Sequence, residues 1–166
     1  MVDLHTHSTA SDGTLTPREL IEEAARRGIR EMALTDHDTV SGVAEAQEAG
    51  RRHGVTVIAG IELEIGYTGG TFHLLGLGLD PGNERLLELL SDVADERTNR
   101  NLRMIGHIRE AGIEADYDSV ASLAAGSIVG RPHFAQFLVE SGLVSTEQAA
   151  FREYLGEGRP FYEPRR

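Results

Sequence analysis

The order of strand-like and helix-like segments limits the fold of this chain more than any other feature of its sequence. Runs of apolar and β-branched residues predict four strands, over residues 2–7, 32–35, 55–65 and 71–79. Apolar residues at helical spacing predict a helix over 17–28, with Thr16 as its N-cap, and another over 39–54. Because strands that alternate with helices pair in parallel, at least the first three strands should be parallel. The sequence therefore predicts an α/β fold.

A turn over residues 67–70 separates the third and fourth strands, and the strand pattern stops after Pro81 and Gly82. Rows of apolar residues then predict a long helix over 83–112. Shorter helices are predicted over 116–125, 131–142 and 146–156. We therefore expect two regions, an α/β part over 1–80 and a helical part over 81–166.

The composition narrows the classes of function. The chain has 166 residues, a net charge of −11 and no cysteine, which excludes disulfides and thiolate metal sites. It has no apolar run of about 18 residues and no signal-peptide pattern, so we expect a cytoplasmic protein with no membrane partner. An acidic chain binds nucleic acid poorly through non-specific contacts. A phosphorylated substrate is still compatible, because a bound divalent ion reverses the local charge.

Two histidines and an aspartate lie close together near the N-terminus. His5 and His7 are two residues apart, so in a strand they point to the same face. They stand at the C-terminal end of the first strand, where α/β sheets carry their functional sites. Asp12 follows in the next loop. This pattern favours a metal site over an incidental group of exposed side chains.

The motif TDHD places His37 between Asp36 and Asp38 at the end of the second strand. A carboxylate beside a metal-binding imidazole fixes its tautomer and raises its basicity. Asp36 and Asp38 are therefore candidate catalytic-site residues, with orientation of His37 as one role. The alternative is that one of them caps the helix that follows. His37 as a ligand and Asp38 as a cap are compatible with each other.

Further ligands end the third strand and enter the fourth. Glu62 and Glu64 share one face of the third strand, and a buried carboxylate there needs a partner or a metal ion. For His73, in an apolar strand, a purely structural role is the alternative. The sequence thus offers six candidate ligands: His5, His7, Asp12, His37, Glu62 and His73. Since one catalytic ion rarely takes more than four protein ligands, two or more ions are indicated, with Mn²⁺, Zn²⁺ or Fe²⁺ suiting these donors.

In the helical part, Arg131 and His133 flank Pro132 at the start of a predicted helix. Backbone N–H groups at a helix start bind anions, and a guanidinium adds bidentate phosphate binding. An ordinary helix start with surface charge explains the same residues equally well.

The segments DLHTHSTASDGT, ALTDHDTVSG, GIELE and FHLLGLGLD resemble, in order and spacing, the PHP (polymerase and histidinol phosphatase) superfamily. The segments GRPHFAQFL and YLGEGRPFY resemble one bacterial branch, the phosphoesterases that act on nucleoside 3′,5′-bisphosphates and on the 5′ ends of short RNA. The resemblance spans nearly the whole chain.

The resemblance implies the N-terminal portion of a distorted (β/α)7 PHP barrel with a helical insertion. It implies two or three divalent ions, Mn²⁺ before Zn²⁺ or Fe²⁺, held by the six candidate ligands with Glu62 as a bridge. It implies that Arg131 and His133 contact substrate phosphate. Family members continue past the insertion to a late Asp-x-His pair, which this sequence lacks. We therefore expect an open sheet that a homodimer or a complementing chain covers.

The expected function is hydrolysis of a nucleotide phosphate monoester, in which a metal-bound hydroxide attacks phosphorus. One alternative is a non-catalytic metal-binding or interaction module. A proofreading or structural module of a replicative polymerase is another, and the chain shows no polymerase segment. Hydrolysis of a C–N bond is also open, because metal-hydroxide sites support it.

Overall fold

The computed structural model describes residues 1–67, 70–124 and 128–164. Within them the strands are β1 Val2–Thr6, β2 Glu31–Leu34, β3 Thr56–Tyr67 and β4 Gly70–Leu77. The helices are α1 Pro17–Arg26, α2 Val43–His53, α3 Glu84–Glu110, α4 Tyr117–Leu123, α5 Arg131–Glu140 and α6 Glu147–Ala150, which continues as a π-helical turn over Phe151–Leu155. The element order predicted from the sequence is confirmed. The central residues of the predicted turn, 68 and 69, and the end of the predicted helix at 125 lie outside the described residues.

The four strands form one sheet in the order β1-β2-β3-β4. β1 pairs in parallel with β2, and β2 pairs in parallel with β3, as predicted. β3 and β4 pair antiparallel. β3 extends beyond the end of β2, and there Glu62 forms an isolated parallel bridge with His37. This extension brings the end of the second strand beside the middle of the third.

The pairing of β1 with β2 is irregular around His5, the first candidate ligand. Asp3 is opposite Met32 and Thr6 is opposite Leu34, so β1 has an extra residue that forms a bulge. Beyond the bulge, the Thr35 N–H donates to the Thr6 carbonyl oxygen at 2.9 Å. The Thr6 N–H donates in turn to Thr35 Oγ1 at 3.1 Å. These bonds fix the point at which the chain leaves β1 towards His7.

The first compact unit, Met1–Val93, has helices against one face of its sheet. Ile21 of α1 and Ala46 of α2 are buried against Met32 and Leu34 of β2. The expectation that the third strand is buried on both faces holds only over residues 59–62, since the rest of β3 is partly exposed where its burial is described. The side chains that remain exposed on the two outer strands include Val2, Leu4, Phe72 and Leu74.

The start of α2 corrects one interpretation. The helix begins at Val43, with Gly42 as its N-cap and no capping side chain. The prediction that Asp36 or Asp38 caps this helix is therefore wrong. The reason is that the chain continues for several residues after β2 before it becomes helical. In contrast, the predicted cap of α1 is confirmed, because Thr16 Oγ1 accepts the Glu19 N–H at 3.2 Å.

The second compact unit is Ala94–Arg166, and its core is apolar. Met104 and Ile108 of α3 are fully buried with Phe134 and Leu138 of α5. The division between the units falls inside α3, whereas the sequence pattern changes after residue 80. None of the helices in the described ranges combines the length and the apolar character needed to cross a bilayer.

Candidate metal centre

Glu62 is the buried acid at the centre of the candidate site. The residue is 2% exposed. Its N–H donates to the Asp36 carbonyl oxygen at 3.2 Å, and its own carbonyl oxygen accepts the Asp38 N–H at 2.9 Å. Both hydrogen bonds join Glu62 to the segment that follows β2, and together they fix its backbone. A carboxylate buried to this degree requires close polar partners.

Four imidazoles supply those partners. The Nε2 atoms of His5, His7 and His37 lie 3.2, 3.1 and 3.3 Å from Glu62 Oε2. His73 Nδ1 lies 2.7 Å from Glu62 Oε1. Neighbouring rings are close to one another, with centroids 4.7 Å apart for His7 and His37. The fold thus brings four histidines around one carboxylate: His5 from β1, His7 from just after β1, His37 from just after β2 and His73 from β4.

Asp12 completes the set from the loop after β1. Its Oδ1 atom lies 3.3 Å from His7 Nδ1, and its Oδ2 atom lies 3.7 Å from His37 Nε2. Unlike Glu62, its side chain is 60% exposed. The cluster therefore has one carboxylate that is buried and one that faces solvent.

These six side chains fit divalent metal ions. Their ligand atoms form three overlapping groups, each within 4.8 Å: His5–His7–Glu62, His7–Asp12–His37 and His37–Glu62–His73. His7, His37 and Glu62 each belong to two groups, as expected where neighbouring ions share ligands. The donors are imidazole nitrogens and carboxylate oxygens, which suit Mn²⁺, Zn²⁺ and Fe²⁺.

The protonation states also favour a cation. Burial raises the pKa of Glu62, but hydrogen bonding to His5 and the charge of His37 outweigh it and leave that pKa below its usual value. Burial lowers the pKa of His37, and the nearby Glu62 and Asp12 carboxylates offset only part of this effect. An ionised carboxylate beside a neutral imidazole presents lone pairs to a metal ion.

Asp36 contacts the loop after β1 through its side chain. The carboxylate is 1% exposed. Its Oδ1 atom accepts the Ser8 N–H at 2.6 Å and the Ser11 hydroxyl at 2.7 Å. Its Oδ2 atom accepts the Ser8 hydroxyl at 2.7 Å. We call these three residues the Asp36 network. The sequence analysis missed Ser8 and Ser11, for which the only signal is two small polar residues between the candidate ligands.

Gly13 closes the same loop. A Cβ atom at this position would lie 2.3 Å from the carbonyl oxygen of His7, so the backbone approach requires glycine. Asp38 is 6% exposed and has a left-handed backbone, with φ of +54°. The direct involvement of Asp36 or Asp38 in catalysis stays a prediction.

Arg131 and His133 lie in the second unit, in the first turn of α5. The Gly130 N–H donates to His133 Nδ1 at 3.0 Å. The Arg131 guanidinium carbon lies 5.9 Å from the centroid of the Tyr162 ring, in cation–π geometry. Their contact with substrate phosphate stays a prediction.

The chain belongs to the PHP domain family, whose family model matches residues 3–159. The resemblance seen in the sequence is thereby confirmed.

Two curated relatives come from bacteria. A 5′–3′ exoribonuclease of Haemophilus influenzae is 39% identical over 157 residues, which are 95% of this chain and 57% of the relative. A 3′,5′-nucleoside bisphosphate phosphatase of Chromobacterium violaceum is 39% identical over 162 residues, which are 97% of this chain and 57% of the relative. The chain thus spans somewhat more than half the length of these relatives.

A solved structure is equally similar. An amidohydrolase from Chromobacterium violaceum, with bound sulfate and no metal, matches with a TM-score of 0.84 and 38% sequence identity. The match covers 98% of this chain and 58% of the solved one. The α/β fold of PHP type predicted from the sequence is therefore confirmed.

Proposed function

We propose that this chain hydrolyses a phosphate monoester of a nucleotide, either a nucleoside 3′,5′-bisphosphate or the 5′ end of a short RNA. The observation that carries the proposal is the convergence of four imidazoles on the buried carboxylate of Glu62, each within 3.3 Å of one of its oxygens. The names of the relatives, an exoribonuclease and a bisphosphate phosphatase, support nucleotide phosphate as the substrate class.

The six ligands would hold two or three divalent ions, with Mn²⁺ preferred and Zn²⁺ or Fe²⁺ as alternatives. Of the three residues that contribute to two ligand groups each, only Glu62 is a carboxylate with two oxygens, so it would be the residue to bridge two ions. When bound, such ions supply Lewis acidity that polarises phosphoryl oxygens and makes water acidic enough to react near neutral pH. The bound ions would reverse the negative charge of the acidic chain at the site, so an anionic phosphate would not be repelled there.

Arg131 and His133 are the residues we assign to phosphate binding. They open α5, where the positive end of the helix dipole favours an anion. Because His133 Nδ1 accepts the Gly130 N–H at 3.0 Å, the start of α5 fixes the orientation of the imidazole ring. The Arg131 guanidinium adds a fixed positive charge with fork geometry.

The test is phosphate release from a nucleoside 3′,5′-bisphosphate in the presence of Mn²⁺. His7→Ala should lose the activity, by about a hundredfold or more, while it retains the folded circular dichroism spectrum. His53→Ala is the matched control, because His53 lies on α2 next to Glu22, outside the three ligand groups. Equal activity of His7→Ala and His53→Ala would contradict the proposal.

The same protein sample distinguishes the proposed hydrolase from the alternative of a non-catalytic metal-binding module. Mn²⁺ binding in calorimetry without hydrolysis of any phosphoester favours the module. Because the solved relative is named an amidohydrolase, an amide substrate belongs in the same assay. Turnover of the amide and not of the bisphosphate would favour cleavage of a C–N bond.

A further inference from the structure

The Asp36 network joins the end of β2 to the loop that carries Asp12. Asp36 follows β2, whereas Ser8 and Ser11 precede α1, and the sequence separations are 28 and 25 residues. Ser8 and Ser11 are 0% and 1% exposed. All three hydrogen bonds end on one ionised carboxylate, which makes them about twice as strong as bonds between neutral groups.

The network fixes the loop through Ser8. The Ser8 carbonyl oxygen accepts the Ser11 N–H at 3.0 Å and the Gly13 N–H at 2.9 Å. The Ser8 hydroxyl accepts the Ala10 N–H at 3.1 Å. Asp12 lies between two residues whose backbone is held by Ser8, and Ser8 is itself held by Asp36. The backbone of the loop therefore determines where the Asp12 carboxylate points.

Packing does not hold Asp12, because its side chain is 60% exposed. An exposed carboxylate on an unrestrained loop would lose conformational freedom when it binds an ion, and this loss would weaken binding. Asp36 belongs to none of the three ligand groups in the described residues. Both of its oxygens are engaged by the loop.

We propose that Asp36 is a positioning residue, which acts through Ser8 and Ser11 to hold the Asp12 carboxylate against His7 and His37, and so sets the affinity of the ion that Asp12 binds. The inference rests on the proposed function, since it assumes that the cluster binds metal ions. It assigns to Asp36 a role at the Asp12 ligand, in place of a role in orienting His37 or in the chemistry.

The test is a Mn²⁺ titration of the full chain, in which calorimetry and the electron paramagnetic resonance signal of the free ion measure binding. The ion that depends on Asp12 is defined as the one whose affinity falls most in Asp12→Ala. Asp36→Ala should weaken this ion by about tenfold or more, as for other residues that orient metal ligands. Asp36→Asn should recover most of the affinity, because its amide oxygen still accepts the Ser8 N–H and the Ser11 hydroxyl.

Two further measurements separate positioning from loss of fold. In the double variant Asp12→Ala/Asp36→Ala, the second change should weaken Mn²⁺ binding no further, because the two residues act as one unit. Thr16→Ala is the stability control, since it removes the N-cap of α1 next to the same loop and leaves the Asp36 network intact. It should lower the melting temperature with unchanged Mn²⁺ affinity. If Asp36→Ala does not fold, Ser8→Ala replaces it, because that variant removes one hydroxyl from the network and keeps the carboxylate.

The outcomes distinguish this inference from the function on which it rests. Full Mn²⁺ affinity in Asp36→Ala, or a loss that adds completely to that of Asp12→Ala, overturns the positioning role alone. Wild-type protein that binds no Mn²⁺ overturns the proposed function and this inference together. The positioning role is established by three results together. Asp36→Ala lowers the Mn²⁺ affinity about tenfold, Asp36→Asn restores it, and Asp36→Ala has no further effect in a chain that already carries Asp12→Ala.

Discussion

The two compact units of the chain bury different kinds of side chain. Among the described residues, the buried polar and charged side chains of the first unit are Ser8, Ser11, Thr35, Asp36, Asp38 and Glu62, whereas those of the second unit are Arg100 and Asn101. The second unit has a single large apolar cluster around Phe134, whereas the first unit has two smaller apolar clusters, around Ile21 and Ile61. The first unit therefore combines apolar packing with a buried polar site, and the interior of the second is organised mainly by apolar packing.

This difference indicates which interactions stabilise each unit. Buried polar groups contribute little net free energy even when they are fully hydrogen-bonded, while buried apolar side chains contribute about 1.5–3 kcal/mol each. A ligand that binds only the folded state adds stability by mass action. We therefore expect metal ions to stabilise the first unit and mutations in apolar side chains to dominate the stability of the second.

The largest expected effect is that of Glu62→Gln, which removes the carboxylate shared by two ligand groups. The variant should lose at least one Mn²⁺ ion and reduce phosphate release by about a hundredfold or more. Metal titration and the phosphate assay measure these losses. Glu64→Gln is the matched control, because Glu64 lies on the same strand outside the ligand groups. If both variants bind Mn²⁺ like the wild type, the first unit is not organised around metal ligands.

The next effect concerns the apolar unit. Phe134 is 0% exposed, so Phe134→Ala should lower the free energy of unfolding by about 3–5 kcal/mol. Urea denaturation measures the loss, and Mn²⁺ titration of the folded fraction should give unchanged affinity. Phe72→Ala is the control. Because Phe72 is 47% exposed, this substitution should lower the free energy of unfolding far less. Equal losses of unfolding free energy in the two variants would contradict the view that apolar packing around Phe134 dominates the stability of the second unit.

The smallest expected effect is a pH dependence of the stability of the second unit. His107 Nε2 lies 2.9 Å from Glu163 Oε1, and this hydrogen bond raises the pKa of His107 above its usual value. The same bond lowers the pKa of Glu163. The stabilisation by His107 is therefore complete below its usual pKa of about 6.5 and is lost as the pH rises through the raised pKa. The stabilisation by Glu163 is lost as the pH falls through the lowered pKa.

Glu163→Gln should consequently lower the pKa of His107 in an NMR titration. The difference in unfolding free energy between wild type and variant should be larger at about pH 5.5 than at pH 9. We expect at most about 1 kcal/mol, because the imidazole is 35% exposed and solvent screens the pair. Glu110→Gln is the control, since its carboxylate lies 3.6 Å from His107 Nδ1 and is 81% exposed. A larger pKa change in Glu110→Gln would show that Glu163 is not the main partner.

The sequence predicted the elements and most of the cluster, because both depend on short-range patterns. The i, i+2 spacing of His5 and His7 predicted that both side chains point to the same face, and in the structure both contact Glu62 even with a bulge in β1. The start of α2 was placed too early because the predicted helix was extended back to residue 39, whereas residues 39–42 lie in a loop and turn before Val43. The network of Asp36 with Ser8 and Ser11 was missed, since hydrogen bonds between distant segments leave no periodic signal.

The α/β class, the strands that carry ligands and the kinds of ligand atom available could all be predicted from sequence patterns. These follow from periodicity and residue chemistry, which are local properties of the chain. The packing of distant segments was needed to show that Glu62 is the buried centre, that Asp12 is exposed and that Asp36 is directed to the loop of Asp12. Burial and hydrogen-bond partners depend on which distant segments pack together, and no spacing within one segment contains that information.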